Sequence, residues 1–372
     1  MNGAGSSFSD LPPAVAAAVP GDILLVRAYD PTVAVYQAPT ISKALTVIGI
    51  GGQPALVGQL EVDAVPAGQH VVLRDLAIGP FQGATGTFGD CALTLVDNIG
   101  SVHLQNVDRE RLMTWPLAAT GWRIDSCELV TLVDCSCFVV TPLAMHEIVD
   151  TSLCIASGTE FRSGLAPPLF GGTFVPTVTL IRSEMVLVDS VVQGTVSFFG
   201  GGGPGFELCD ANLQVGPGSR VSPGGQVAAF RLDPGCAAPS ELTIAFGASI
   251  GAFVGVPFTF APVTSMGASL TSSTSGADTL SVQVTGEPSG IAGLAFGVPA
   301  PAPTPLFGGS LFLDPASVVL FDIVMLDAQQ GKGSWSAVLP SGLPPGISQW
   351  LQAVVLSNGA LTLTQPAVVT TS

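Results

Sequence analysis

The sequence predicts an all-β chain. A right-handed, single-stranded parallel β-helix of about nine coils comes first, capped by a short helix, and a small antiparallel β-sandwich follows. Three observations carry this. A motif of the form apolar, any, apolar, any, polar recurs at intervals of 22–32 residues between Ile23 and Leu242. A second, alternating apolar–polar strand precedes it in several repeats. The chain also holds 45 Gly and 30 Pro with only 10% charged residues, a composition of many tight turns and little solvated helix.

In chain order, Ser9-Asp10-Leu11-Pro12-Pro13 offers an N-cap followed by Pro in the first turn, and Pro20-Gly21-Asp22 stops the helix after Val19. The motif then starts at Ile23, Leu45, Val71, Val102, Val130, Leu153, Met185, Leu213 and Leu242. Gly158, Gly218 and Gly247 fall at its sixth position, where a strand-to-strand bend calls for positive φ. The preceding strands are Leu93–Leu95, Trp122–Ile124, His146–Ile148, Val178–Leu180, Phe206–Leu208 and Phe230–Leu232. No repeat carries a 3.6-residue period, which excludes a helical solenoid. The expected division is a β-helix over 1–262 with its capping helix at about 10–19, a polar linker over 263–276, and a sandwich over 277–372 whose hairpin signal is Ser357-Asn358-Gly359. Open β-helix ends are sheet edges, so the second domain is expected over the last coil.

Residues 7–52 resemble the opening of pectin-lyase-like β-helix proteins. The matching pieces are Phe8, the Ala-rich stretch Ala14–Ala18, Pro20-Gly21-Asp22, Ile23–Val26, and Ile41-Ser42-Lys43-Ala44-Leu45 through Gly49. The resemblance implies the fold and leaves activity open. The order of pieces after residue 277, including Gly308-Gly-Ser-Leu-Phe-Leu-Asp-Pro315 and Gln352-Ala-Val-Val-Leu-Ser-Asn358, resembles the C-terminal domain of planctomycete surface proteins. That implies a secreted or surface-attached protein.

A formal charge of −16 with 11 scattered basic residues excludes nucleic acid as a partner. No apolar run reaches the roughly 18 residues of a membrane span. The N-terminus lacks the basic start and apolar core of an export signal, so an extracellular or cell-surface location requires that such a signal has been removed. Seven Cys permit up to three disulfides. Cys209 and Cys236, on the last two coils, are the candidate bridge, and Cys135 reads as a buried thiol.

Equivalent positions on stacked coils form columns about 4.8 Å apart. The fifth motif position reads Asp75, Asn106, Asp134, Ser157, Asp189, a polar ladder at a bend, with a metal ladder as the alternative. Arg123–Glu147 and Glu207–Arg231 can pair across neighbouring coils. Asp150, Arg182 and Asp210 form a carboxylate–guanidinium–carboxylate column. It is the catalytic candidate, because uronate chemistry needs charge neutralisation and a base, and its alternative is a surface ion-pair column. Arg109, Arg111 and Trp115 are the candidate ligand-binding residues, a sugar platform on a charged loop. The polygalacturonase motifs and the Arg-x-x-Pro-x-x-Arg of pectate lyases are absent. His146-Glu147 alternates faces on a strand, so it is no acid/base dyad. The chain therefore reads as a secreted, non-catalytic surface protein that is structural or binds polysaccharide or matrix proteins. The alternative is a polysaccharide lyase or glycoside hydrolase working on the β-helix flank. No cofactor is expected, with structural or catalytic calcium as the alternative.

Overall fold

The structure is a computed structural model. It describes residues 8–27, 36–37, 39–50, 55–78, 92–107, 121–139, 146–163, 165–166, 175–197, 202–216, 218–225, 227–233, 235–245, 248–251, 258–260, 265–272, 278–307, 309–329, 331–340, 344 and 346–371. Three long parallel sheets, with two further two-stranded parallel pairs, wind around one apolar core. The longest has ten strands stacked in chain order: Asp22–Arg27, Leu45–Ile50, His70–Arg74, Ser101–Gln105, Leu129–Val133, Leu153–Ser157, Glu184–Val188, Asn212–Val215, Glu241–Ile244 and Phe258–Phe260. Phe258–Phe260 adds one rung to the nine motifs. An eight-stranded sheet runs from Thr40–Ile41 to Phe230–Leu232, and a five-stranded one from Ser136–Val139 to Ser249–Ile250. The helix Leu11–Ala17, with Asp10 Oδ1 accepting from Leu11 N at 2.8 Å, buries Leu11, Ala14 and Val15 against the first coil.

Two corners of the coil are single left-handed residues among the described residues, and this explains the composition of the two columns. Asp97, Ser126, Asp150, Arg182 and Asp210 have φ between 45° and 55°. At the other corner Asp75, Asn106, Asp134 and Asp189 have φ between 46° and 52°, and Gly158 joins them at 59°. Asp and Asn bear this conformation better than other non-Gly residues, and Gly bears it freely.

The register differs from the sequence reading at two rungs. Leu45 pairs with Asp22, not Ile23, and Val130 pairs with Cys154, not Leu153. Gly158 therefore takes the fifth position in place of Ser157, and Gly247 lies outside the described residues. The continuous ladder is one residue further on and points inward. Cys135 N donates to Thr159 Oγ1, Thr159 N to Ser190 Oγ and Ser190 N to Ser219 Oγ, at 3.1–3.4 Å. These hydroxyls satisfy amides that turn into the core at the bend. Cys127, Cys135, Cys137 and Cys154 are buried, while Cys209 and Cys236 are bridged as expected.

After residue 264 the sheets are antiparallel. Ser265–Ser272, expected within a linker, pairs along its whole length with Asp278–Thr285, which pairs in turn with Lys332–Val338. A second sheet joins Val319–Met325, Ile291–Gly297, Ser348–Ser357 and Ala360–Leu363, with Ala367–Thr370 against Ser348–Leu351. Val282, Val284, Trp335, Leu294, Ala353 and Val355 from the two sheets share one core. Asn358 and Gly359, with φ of 49° and 79°, make the hairpin turn that their sequence announces.

Among the described residues this domain is not packed over the last coil. It lies across the outer face of the ten-stranded sheet. Leu129 and Ile155 of the β-helix pack with Leu313, Trp350 and Val368, and His70 meets the Trp350 ring at 5.3 Å. Arg74, 5% exposed, donates to the Thr370 carbonyl and pairs with Asp75 at 3.0 Å, while Thr370 N donates to Gln105 Oε1 at 3.3 Å. The strand Leu129–Val133 is consequently buried on both faces.

His103 lies on this covered face, fully buried, with Nδ1 2.5 Å from Thr131 Oγ1. Burial, and then the nearby Arg74 charge, push its pKa down to about 3. Between pH 6.5 and about 3 the unfolded chain takes up a proton that the folded chain refuses, so stability falls as pH falls, by about 1.4 kcal/mol per unit. Chemical denaturation at pH 4.5 and 7 is expected to show roughly 2 kcal/mol less acid sensitivity in His103→Gln than in wild type.

Candidate functional site

The left-handed corner beside the second domain builds a cleft. Asp134 and Asp189 stand two rungs apart, with Gly158 between them. A Cβ at Gly158 would meet Asp134 Oδ1 at 2.3 Å, so the missing side chain is what leaves room for the carboxylate. Opposite this wall is the polar face of two antiparallel strands. Gln283 is paired with Ser334 and Ser281 with Ser336, all four exposed, with Val282 and Trp335 between them. Together with Ser157 these residues line a cleft of about 420 Å³, within the range of small-ligand sites.

Its electrostatics are set by crowding. Burial pushes both Asp134 and Asp189 above the usual carboxylate range, and at Asp189 the charge of Lys332 opposes the rise. Among the described residues, no Lys or Arg lines the cleft. The wall therefore offers two carboxylates of reduced acidity, four hydroxyls and an amide, a set that exchanges hydrogen bonds with a hydroxyl-rich ligand and repels an anionic one. The sequence signal for this site was the fifth-position column itself. What the sequence did not announce was which wall would face it.

The other candidates fall elsewhere. Arg182 donates from Nε and Nη2 to Asp150 at 2.6 and 2.7 Å, on the exposed surface. This pairing holds the Asp150 carboxyl below its ordinary range, and the Arg182 value is raised by the same contact. Asp210 instead accepts from Ala238 N at 2.6 Å. The three thus form an ion pair and a turn cap on one column, and none lines the cleft. Cys209, Asp210 and Cys236 come together, but the two sulfurs are bonded to each other, which removes the thiolates a metal would need. Arg123–Glu147 at 3.7 Å and Arg231–Glu207 pair across coils. His146 is buried and accepts from Trp122 N, while Glu147 points outward. Arg109, Arg111 and Trp115 lie outside the described residues.

No protein-family description matches the chain, and no curated protein sequence matches it. Two solved structures are similar in shape at 12% identity and a TM-score of 0.26. One is full-length tailspike protein 2 from Escherichia coli O157:H7 bacteriophage CAB120, matched over 92% of this chain and 64% of that one. The other is the enzymatically active domain of tailspike protein 2 from bacteriophage CBA120, matched over 97% and 74%. The chain thus spans just under two thirds of the full-length tailspike. Likeness at this level assigns neither site nor activity, and the fold stands on the strand pairing described above.

Replacing Lys332 by Met is expected to raise the titration midpoint of Asp189 further and leave that of Asp134 in place. Carboxyl chemical shifts followed from pH 3 to 8 would check this.

Proposed function

We propose that the chain is an extracellular or cell-surface recognition protein that holds a neutral polysaccharide strand, without cleaving it, between the Asp134–Gly158–Asp189 wall and the Ser281/Gln283/Ser334/Ser336 wall. The observation that carries the reading is this cleft, with hydroxyls, an amide and two weakened acids, and no basic side chain among the described residues that line it. An anionic, uronate-rich chain fits it poorly. The Cys209–Cys236 bridge supports an oxidising location, and the resemblance of the last hundred or so residues to planctomycete surface domains points the same way. No described helix is long and apolar enough to cross a membrane.

A second reading, glycoside hydrolysis, is favoured by the same two carboxylates. Two rungs of a parallel sheet separate their backbones by about 9.5 Å, near the upper end of the spacing used by inverting hydrolases. Against it, burial shifts both acids in the same direction, whereas an acid and a base need environments that drive their pKa values apart.

Titration calorimetry on neutral and uronate polysaccharides separates the readings. Neutral chains are expected to bind, with affinity falling ten-fold or more in Ser336→Trp, which fills the cleft, and no new reducing ends appearing. Unchanged affinity in that variant would overturn the cleft assignment. Turnover abolished by Asp189→Asn or by Asp150→Asn would replace binding with hydrolysis or lyase chemistry.

A further inference from the structure

The second sheet of the C-terminal domain leaves part of one face open. Met325, Ile291, Leu356 and Leu361 are direct cross-strand partners on four neighbouring strands, so they form one row on one face. They are 72%, 41%, 39% and 38% exposed. In the next row Ile323, 59% exposed, is the partner of Gly293. A Cβ at Gly293 would lie 3.2 Å from Leu320 Cδ1 and 4.0 Å from Ile323 Cγ1, so both side chains fold across the glycine and close the patch into a continuous surface. Toward Gln352 the same face is covered by the neighbouring hairpin, since Gln352 bonds Ser310 O and Phe312 N. Toward the Asn358–Gly359 turn nothing described covers it, and no charged residue belongs to its two rows.

We propose that this face is a homotypic interface, on which a second copy of the chain seats the same face about a two-fold axis. Charge argues for this occupant. The face has no carboxylate to offer a basic partner. A chain of formal charge −16 approaches itself at least electrostatic cost through a surface of this kind, where no carboxylate is buried. Size agrees. The six side chains expose roughly 500 Å² together, the scale of the largest patch on a typical monomer, and two copies would bury about 1,000 Å², where specific interfaces begin. Two apolar sheet faces can pack aligned at about 10 Å.

Sedimentation equilibrium of the full chain tests this. The expected result is a dimer with a dissociation constant of tens of micromolar or tighter, strengthened by raising NaCl from 0.05 to 0.5 M because like charges are screened. Ile323→Lys is expected to weaken it ten-fold or more, and Leu361→Ser less severely. Val338→Lys, an equally polar change on the other sheet, is expected to leave it alone. Near-ultraviolet circular dichroism shows that each variant is folded. A wild-type chain still monomeric at 500 μM, a dimer weakened by salt, or an Ile323→Lys variant dimerising as wild type would each overturn the proposal.

Discussion

Much of this molecule depends on one covered surface. The outer face of the ten-stranded sheet is sealed by the second domain, with Leu129 and Ile155 packed on Leu313, Trp350 and Val368. Apolar burial supplies the driving force. The polar contacts supply the placement: buried Arg74 reaches the Thr370 carbonyl, and Gln105 takes the Thr370 amide. Without Arg74 a buried carbonyl loses its charged donor, a loss of about 1.5–3 kcal/mol. Because the domain is held there, its Ser281–Ser336 face stands opposite the Asp134–Asp189 corner, and the cleft is a by-product of the docking.

The same surface explains where the sequence could be read and where it could not. Strand existence was legible almost throughout, because the inward positions Val130, Leu132, Met185 and Leu187 alternate as a core-facing strand must. Register was clearest where the outward positions are polar, as at Arg123 and Glu147. In Leu153-Cys-Ile-Ala-Ser157 both faces are apolar, so a one-residue slip costs nothing in pattern, and the start fell on Leu153 instead of Cys154. Such runs were themselves a signal. Leu129-Val-Thr-Leu-Val133 is the pattern of a strand covered on both sides, and it announces a docked partner that a position over the last coil would not require. Ser265–Ser272 reads as linker because it runs into the polar stretch Thr271–Gly276, yet its fellow strand Asp278–Thr285 supplies the apolar partners.

The candidate site divides along the same line. The left-handed corners were visible as columns of Asp, Asn and Gly, since few residues bear positive φ. Nothing in the local sequence distinguished the corner that faces a second wall from the corner that faces water. Asp150–Arg182–Asp210 lies on the water side, where an ion pair is worth little and fixes side chains more than it stabilises. Asp134 and Asp189 lie beside the docked domain, where crowding alters their acidity. Chemical character here follows from tertiary placement.

Hydroxyl-radical footprinting of the full chain tests the docking most directly. Leu129, Ile155 and Trp350 are no more than 5% exposed, whereas Ile23 and Leu25, on the first rung of the same sheet, are 41% and 51% exposed. The first three are expected to be protected as strongly as the internal Val130 and Leu132, and Ile23 and Leu25 to react. Leu129 and Ile155 reacting as fast as Leu25 would mean that the outer face is open and that the cleft does not exist.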